Sequence, residues 1–180
     1  MILSKEDSDL FFRLWLPLLR YGSEAHDLHV GKLARPEGGI DFVAALEVAE
    51  AIWSDVSVID DYLARRPDMS PEEQQIARGW KRAIRGHFAL ERHLRGGSIF
   101  IALENNGVYL VKGITSPWNE LFPNRVMPVI LTTALLPFRG CIITDGLFSL
   151  SNVIVGPGIR SGLKDTYMSA KADGRIVKAL

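Results

Sequence analysis

The sequence predicts an α+β fold in which about three N-terminal helices pack as a layer on a C-terminal antiparallel sheet or partly closed barrel. Apolar residues recur at helical spacing through residue 96, whereas short apolar runs separated by turn residues follow from residue 97. The 180 residues, 47% of them hydrophobic, are enough to bury one core. We therefore expect a single domain over residues 1–180, with a helical layer over 1–96 and a mainly β part over 97–180.

The first two helices are indicated by their caps and apolar stripes. Ser4 is placed to cap the first helix, and acidic residues follow it at the positive end of the helix dipole. Pro17 lies inside its apolar stripe, so we expect a kink or a break there. Asp41 opens the second helix, in which apolar positions repeat over about 24 residues until Pro67 ends it.

A third helix is predicted over residues 71–95. Ser70 and Glu73 form a capping box around Pro71, which favours the first helical position. Apolar residues keep helical spacing from Ile76 to Leu94, and a pair of glycines then stops the helix.

The β part is defined by its turns. Asn106-Gly107 predicts a tight hairpin, residues 137–140 (Pro-Phe-Arg-Gly) predict a second turn, and Asp145-Gly146 predicts a third. Residues 159–173 are expected to form a late helix, and "RIVKAL" a short closing strand. Consecutive strands joined by short turns indicate antiparallel pairing.

Composition narrows the class of protein. The single cysteine, Cys141, excludes an internal disulfide framework and a multi-cysteine zinc site. The N-terminal region has no signal-peptide pattern, and its short apolar run contains Arg13, so we expect a cytoplasmic protein without a membrane segment. Residues 1–73 hold 15 acidic and 7 basic side chains and residues 74–180 hold 6 and 14, so the net charge of zero divides into −8 and +8. Such a split is typical of a basic partner-binding face or, as we favour, of two halves that attract each other.

One candidate ligand site is the glycine-rich corner before the late helix. Backbone amides at the start of a helix bind anions, and an arginine there adds positive charge. The spacing matches neither a dinucleotide fingerprint nor a P-loop, so a flexible strand-to-helix corner is the favoured alternative. The candidate ligand-binding residues are Gly156, Gly158, Arg160 and Ser161.

A second candidate is the basic face of the predicted 71–95 helix. A row of arginines on one helix face could follow a phosphate backbone, which makes nucleic-acid binding an alternative function. The near-neutral isoelectric point of about 6.9 favours instead a solvated or internally paired face. The residues concerned are Arg78, Arg82, Arg85 and Arg92.

No metal site, cofactor or catalytic set is predicted. His87 and Glu91 share a helix face in the predicted helix but His93 does not, and a metal site needs three or four convergent ligands. Asp145 is expected to serve a turn and Cys141 to act as a small core residue. The remaining candidates are the histidine pair His26 and His29, and the loop aromatics Trp118 and Phe122, which could form an exposed contact patch.

The turn and loop residues of the C-terminal half resemble those of an uncharacterised bacterial protein family. The stretches "LLPFRGCIITDGLF", "GPGIRSGL" and "YMSAKADGRIVKAL" carry the likeness, together with the aromatic "FFRLW" helix. Cys141 and Thr144 stand where the family would have a lysine and a tyrosine. The resemblance supports the architecture and implies no known activity.

These observations favour a non-enzymatic cytoplasmic binding or accessory module, because no complete set of catalytic residues is present. The partner would be a protein or a small anionic ligand, bound on the sheet face or in the groove between helix and sheet. Self-association into a homo-oligomer is a further option. Anion or nucleotide binding at residues 156–162 and nucleic-acid binding through the 71–95 helix are the alternatives.

Overall fold

The computed structural model describes residues 1–35 and 39–180 and divides them into two compact units. The helical unit comprises residues 6–83, and the sheet unit comprises residues 1–5 and 84–180. The predicted boundary at residue 96 is therefore wrong, because residues 84–94 form a strand. The charge asymmetry follows the units: the helical unit holds 15 acidic and 9 basic side chains, and the sheet unit holds 6 and 12.

The first helix, α1 (Lys5–Ala25), runs through Pro17 without ending. Proline inside a helix costs about 3 kcal/mol, whereas one buried leucine or tryptophan contributes roughly 2 kcal/mol. Trp15, Leu18 and Leu19 flank the proline and are almost fully buried. Their burial offsets the lost hydrogen bond, so the predicted break does not occur.

The predicted second helix is divided into α2 (Phe42–Ser54) and α3 (Ser57–Ala64). Asp41 caps α2 as expected, because its carboxylate accepts the Ala44 N–H at 3.0 Å. The break lies at Asp55, whose carboxylate accepts the Ser57 N–H at 3.1 Å and the Ser57 hydroxyl at 2.6 Å. This local turn competes with the helical hydrogen bonds, as aspartate and serine side chains commonly do.

The predicted 71–95 helix is wrong beyond Gly79. Helix α4 (Pro71–Gly79) has the expected capping box between Ser70 and Glu73, followed by a 3₁₀ turn over residues 80–82. Residues Ile84–Leu94 then form strand β1, which pairs on one side with β2 (Gly97–Ala102) and on the other with β4 (Val129–Phe138). Pairing on both sides overrides the helical spacing of the apolar residues, because tertiary contacts outweigh local propensity.

The remaining strands are β3 (Val108–Val111) and β5 (Cys141–Leu150). Hydrogen-bonded neighbours follow the order β1-β2-β3-β5-β4, and β1 also pairs with β4. One residue pair, Val111 opposite Ile142, joins β3 to β5 in parallel. The α+β class is thus confirmed, but the sheet is mixed rather than wholly antiparallel.

Of the three predicted turns, the one at residues 137–140 is present, whereas Asn106-Gly107 ends a five-residue connection between β2 and β3 and not a tight turn. Asn106 has a φ of 58° between β2 and β3, and Arg139 and Gly140 have φ values of 42° and 73° between β4 and β5. The predicted turn at Asp145-Gly146 is wrong, because β5 continues through it with a bulge opposite β4. Gly146, with a φ of 82°, supplies the left-handed residue of this irregularity. The closing strand is reduced to a parallel bridge between Val177 and Tyr109.

The two faces of the sheet bury different clusters. The inner cluster contains large side chains from all five strands. Trp118, at the start of the short helix α5 (Trp118–Leu121), and Phe122 join this cluster, so they do not form an exposed patch. On the outer face, helix α6 (Pro157–Ala172) covers Ala89 and Ile101 with Leu163 and Tyr167. The predicted late helix is therefore confirmed, starting two residues earlier.

Candidate functional site

An apolar groove of about 440 Å³ opens on the outer face of the sheet unit. We call it the outer groove. It lies where β1 and β4 meet the chain after β5 and the first turn of α6. Its volume is within the range of small-ligand sites. The lining residues are His87, Leu103, Glu104, Ile130, Ser151, Val153, Val155 and Ile159.

The floor of the groove follows from strand alternation. Along β1, Phe88 and Leu90 point into the inner cluster, so His87 and Ala89 lie on the outer face. In the β1–β4 register His87 is opposite Thr132 and Ala89 is opposite Ile130. This alternation places an exposed histidine at one end of an otherwise apolar surface.

His87 and Glu104 form the polar corner of the groove, and Thr132 is the side-chain partner of His87. His87 Nδ1 lies 2.8 Å from Thr132 Oγ1, and Glu104 Oε1 accepts the His87 backbone N–H at 2.9 Å. That hydrogen bond lowers the pKa of the Glu104 carboxyl below its ordinary value of 4.5. Gly86 makes the approach possible, because a Cβ there would lie 3.1 Å from Glu104 Oε1.

The rim of the groove exposes large apolar side chains. Leu103, Val153 and Ile159 are 42%, 61% and 55% exposed. The adjoining stretch from residue 146 to residue 159 contains no charged residue. Exposed apolar side chains are ordinary when scattered singly, but a cluster around a concave surface is typical of a binding site.

The predicted anion corner lies at the edge of this groove. Gly156 is the N-cap of α6 and Gly158 is in its first turn, but no side chain caps the helix. The Arg160 guanidinium donates a 2.6 Å hydrogen bond to the Met127 carbonyl, whereas Ser161 is exposed. The four residues thus share one helix end, with the arginine held by backbone. Anion binding there stays a prediction.

The predicted basic helix face does not exist. Arg78 ends α4, Arg82 lies in the 3₁₀ turn, and Arg85 and Arg92 lie on β1. Arg92 forms a bidentate pair with Glu91, which raises its pKa, and its guanidinium lies 4.0 Å from the centre of the Tyr167 ring. The helical row that would follow a phosphate backbone is therefore lost.

The histidines do not form the metal-ligand arrangements that their spacing along the chain would allow. His87 and Glu91 are four residues apart on a strand, or about 13 Å, too far to share an ion. His93 lies 2.8 Å from Ser98 Oγ and 2.7 Å from the Phe122 carbonyl. In the helical unit, His29 pairs with Glu47 at 2.6 Å. Within residues 1–35 and 39–180, no group of three His, Cys, Asp or Glu side chains could hold a metal ion.

Asp145 and Cys141 have structural surroundings. The buried Asp145 carboxylate accepts the Leu147 N–H at 3.0 Å and thereby holds the bulge of β5. The buried Cys141 thiol donates to the Phe138 carbonyl at 3.0 Å across the β4–β5 turn. Cys141 thus has the small-core role expected from the sequence, whereas Asp145 holds a bulge instead of the predicted turn.

No family model, curated protein or solved structure matches the chain. The resemblance to an uncharacterised bacterial family stays a prediction. No helix in the described part of the chain is long and apolar enough to cross a membrane.

The sequence indicated a helix–sheet groove as one place for a ligand but did not predict its lining residues, because Glu104, Ile130 and Val153 are far apart in the chain. One signal was available. Fourteen consecutive uncharged residues from 146 to 159, rich in Val, Ile and Leu, are unusual for a segment that leaves a strand and enters a surface helix.

We expect Glu104→Gln to be less stable than the parent protein at about pH 7 and equally stable at about pH 3. The folded-state pKa of Glu104 is depressed, so the ionised carboxylate stabilises the fold above the ordinary value of 4.5 and this contribution is lost as the pH falls through the lower folded pKa. Since the side chain is exposed, the difference at neutral pH should stay below about 1 kcal/mol.

Urea unfolding across this pH range measures the difference. Glu120→Gln is the control, because Glu120 is an exposed carboxylate whose side chain accepts no hydrogen bond within the described residues. A stability difference for Glu104→Gln that grows toward low pH would contradict the assignment.

Proposed function

We propose that the chain is a non-enzymatic, cytoplasmic binding module and that the outer groove is its ligand site. The observation that supports this most directly is the coincidence of an apolar concave surface, an exposed apolar rim and one polar corner. The chain has one cysteine and so cannot form an internal disulfide, which is in keeping with a reducing compartment.

The groove favours an elongated apolar ligand with one hydrogen-bond-donating end. Its apolar part would lie over Ile130, Val155 and Ile159, where contact removes apolar surface from water. Glu104 Oε1 already accepts the His87 N–H, which leaves Oε2 to accept a donor from the ligand. The lowered pKa keeps this acceptor ionised at neutral pH.

The polar corner lacks the geometry of a nucleophilic site. A catalytic serine needs a base within hydrogen-bond reach, itself oriented by a third group. Ser151 lines the groove, but its hydroxyl makes no hydrogen bond to His87, whose Nδ1 meets Thr132 instead. Glu104 meets the backbone of His87 rather than its imidazole. These contacts support a site that binds a ligand and does not catalyse a reaction on it.

We expect Leu103→Asp together with Ile159→Asp to weaken binding of a neutral hydrophobic dye at least about tenfold. Burying one such side chain contributes roughly 1.5–3 kcal/mol, and tenfold corresponds to 1.4 kcal/mol. Both residues are exposed, so the fold should tolerate the changes. Fluorescence titration with Nile red at constant protein concentration measures the affinity.

Val43→Asp is the matched control, because Val43 is 64% exposed on α2, in the helical unit. It should leave the dye affinity unchanged. Equal affinity for the parent protein and the double variant would refute the groove as the site. Turnover of any substrate in a phosphatase, esterase and nuclease panel would refute the non-enzymatic part of the proposal.

A further inference from the structure

The chain between β5 and α6 leaves a row of backbone groups unpaired. The Ser151 N–H still donates to the Ile130 carbonyl at 3.0 Å, and the Gly156 carbonyl accepts the Arg160 N–H at 3.0 Å. Between them, no N–H or C=O of residues 152–155 is hydrogen-bonded to any described residue. These four residues, which we call the open segment, form neither helix, strand, turn nor bend.

The open segment is apolar and projects one side chain into solvent. Val153 and Val155 line the outer groove, whereas Ile154 is 93% exposed and is not part of the groove wall. Native proteins protect an unpaired edge with a charge, a proline or a covering element. The open segment has neither a charge nor a proline. The first proline after it is Pro157, and residues 146–159 are all uncharged. A segment of this kind is a template for an added strand.

We propose that the open segments of two copies of this chain pair as antiparallel strands about a two-fold axis. Only a polypeptide supplies donors and acceptors at the spacing that this backbone requires. In a two-fold interface the same patch of each copy contacts that of the other. An uncharged patch therefore causes no repulsion between like charges. The net charge of zero and isoelectric point of about 6.9 also remove long-range repulsion between copies at neutral pH.

The register that buries most apolar surface places the axis at Ile154. The two Ile154 side chains then lie directly opposite each other, and Val153 of each copy lies opposite Val155 of the other. Pro157 has no N–H and would end the pairing at α6. The pairing uses the backbone and Ile154, so it is a second interaction beyond the proposed ligand groove.

Sedimentation velocity from about 1 µM to about 300 µM tests the proposal on the full chain. We expect a monomer–dimer equilibrium in the micromolar range. Ile154→Lys should weaken it at least about tenfold, because two lysines would face each other at the axis. Ile154→Pro removes the central N–H and should also abolish the dimer. Ile154→Val, which keeps shape and backbone, should change the dissociation constant less than about threefold.

Amide hydrogen exchange locates the interface independently. Alternate N–H groups of a strand face the same edge, so the amides of Asn152 and Ile154 should gain protection as the protein concentration rises and lose it in Ile154→Lys. A chain that stays monomeric throughout, a dimer unaffected by Ile154→Lys, or open-ended growth would each overturn the proposal. Dye binding distinguishes it from the groove proposal. Ile154→Lys should keep the dye affinity, and the Leu103→Asp/Ile159→Asp variant should keep the dimer.

Discussion

Replacing Phe100 with alanine is expected to lower the free energy of unfolding by about 3–5 kcal/mol. Phe100 is fully buried in the inner cluster. Its ring centre lies 6.2 Å from that of Phe88 and 5.0 Å from that of Trp118, in edge-to-face contacts. Truncation would remove these contacts and leave a cavity between strands that pair on both sides. Urea unfolding monitored by tryptophan fluorescence measures the change.

Phe42→Ala is the control for this prediction, because Phe42 is 40% exposed at the start of α2. Its loss should change the free energy of unfolding by less than about 1 kcal/mol. If Phe100→Ala cost no more than Phe42→Ala, the inner cluster would not be the core of the sheet unit.

Replacing Trp80 with alanine should destabilise the helical unit by about 3–5 kcal/mol. Trp80 is fully buried after α4, and its ring meets Phe11 at 5.9 Å and Trp15 at 6.0 Å edge-to-face. The side chain therefore ties the end of this unit to α1. The same unfolding experiment, followed by far-UV circular dichroism for helix content, measures the loss.

Trp80→Phe separates the contribution of the buried aromatic ring from the cost of the buried indole N–H. The Trp80 indole N–H is buried without a hydrogen-bond partner among the described residues. An unsatisfied donor costs about 1–3 kcal/mol, so its removal should offset part of the lost volume. We expect Trp80→Phe to cost less than half as much as Trp80→Ala. Equal costs would show that the N–H is satisfied in solution, by water.

Local signals correctly predicted two helix caps and the left-handed conformation of Asn106. The Ser70–Glu73 capping box, the Asp41 cap and the positive φ of Asn106 all occur as expected. Each depends on residues within three or four positions of one another. Their hydrogen bonds and steric limits are therefore already present in the local sequence.

Elements that depend on distant partners were predicted wrongly. Residues 80–94 have helical spacing but form β1 because β2 and β4 offer hydrogen-bonded partners on both sides. Asp145-Gly146 has turn chemistry but forms a bulge because β4 continues alongside it. The same tertiary pairing removed the basic helix face and separated His87 from Glu91.

The sequence by itself determined the α+β class, the helical N-terminal part and the late helix. Tertiary structure alone decided where the candidate site lies. His87, Glu104, Ile130 and Ile159 meet only because β1 pairs with β4 and α6 covers the outer face. Periodicity and capping are short-range properties. A groove and an unpaired backbone segment, by contrast, form only when strands distant in the sequence pair with one another.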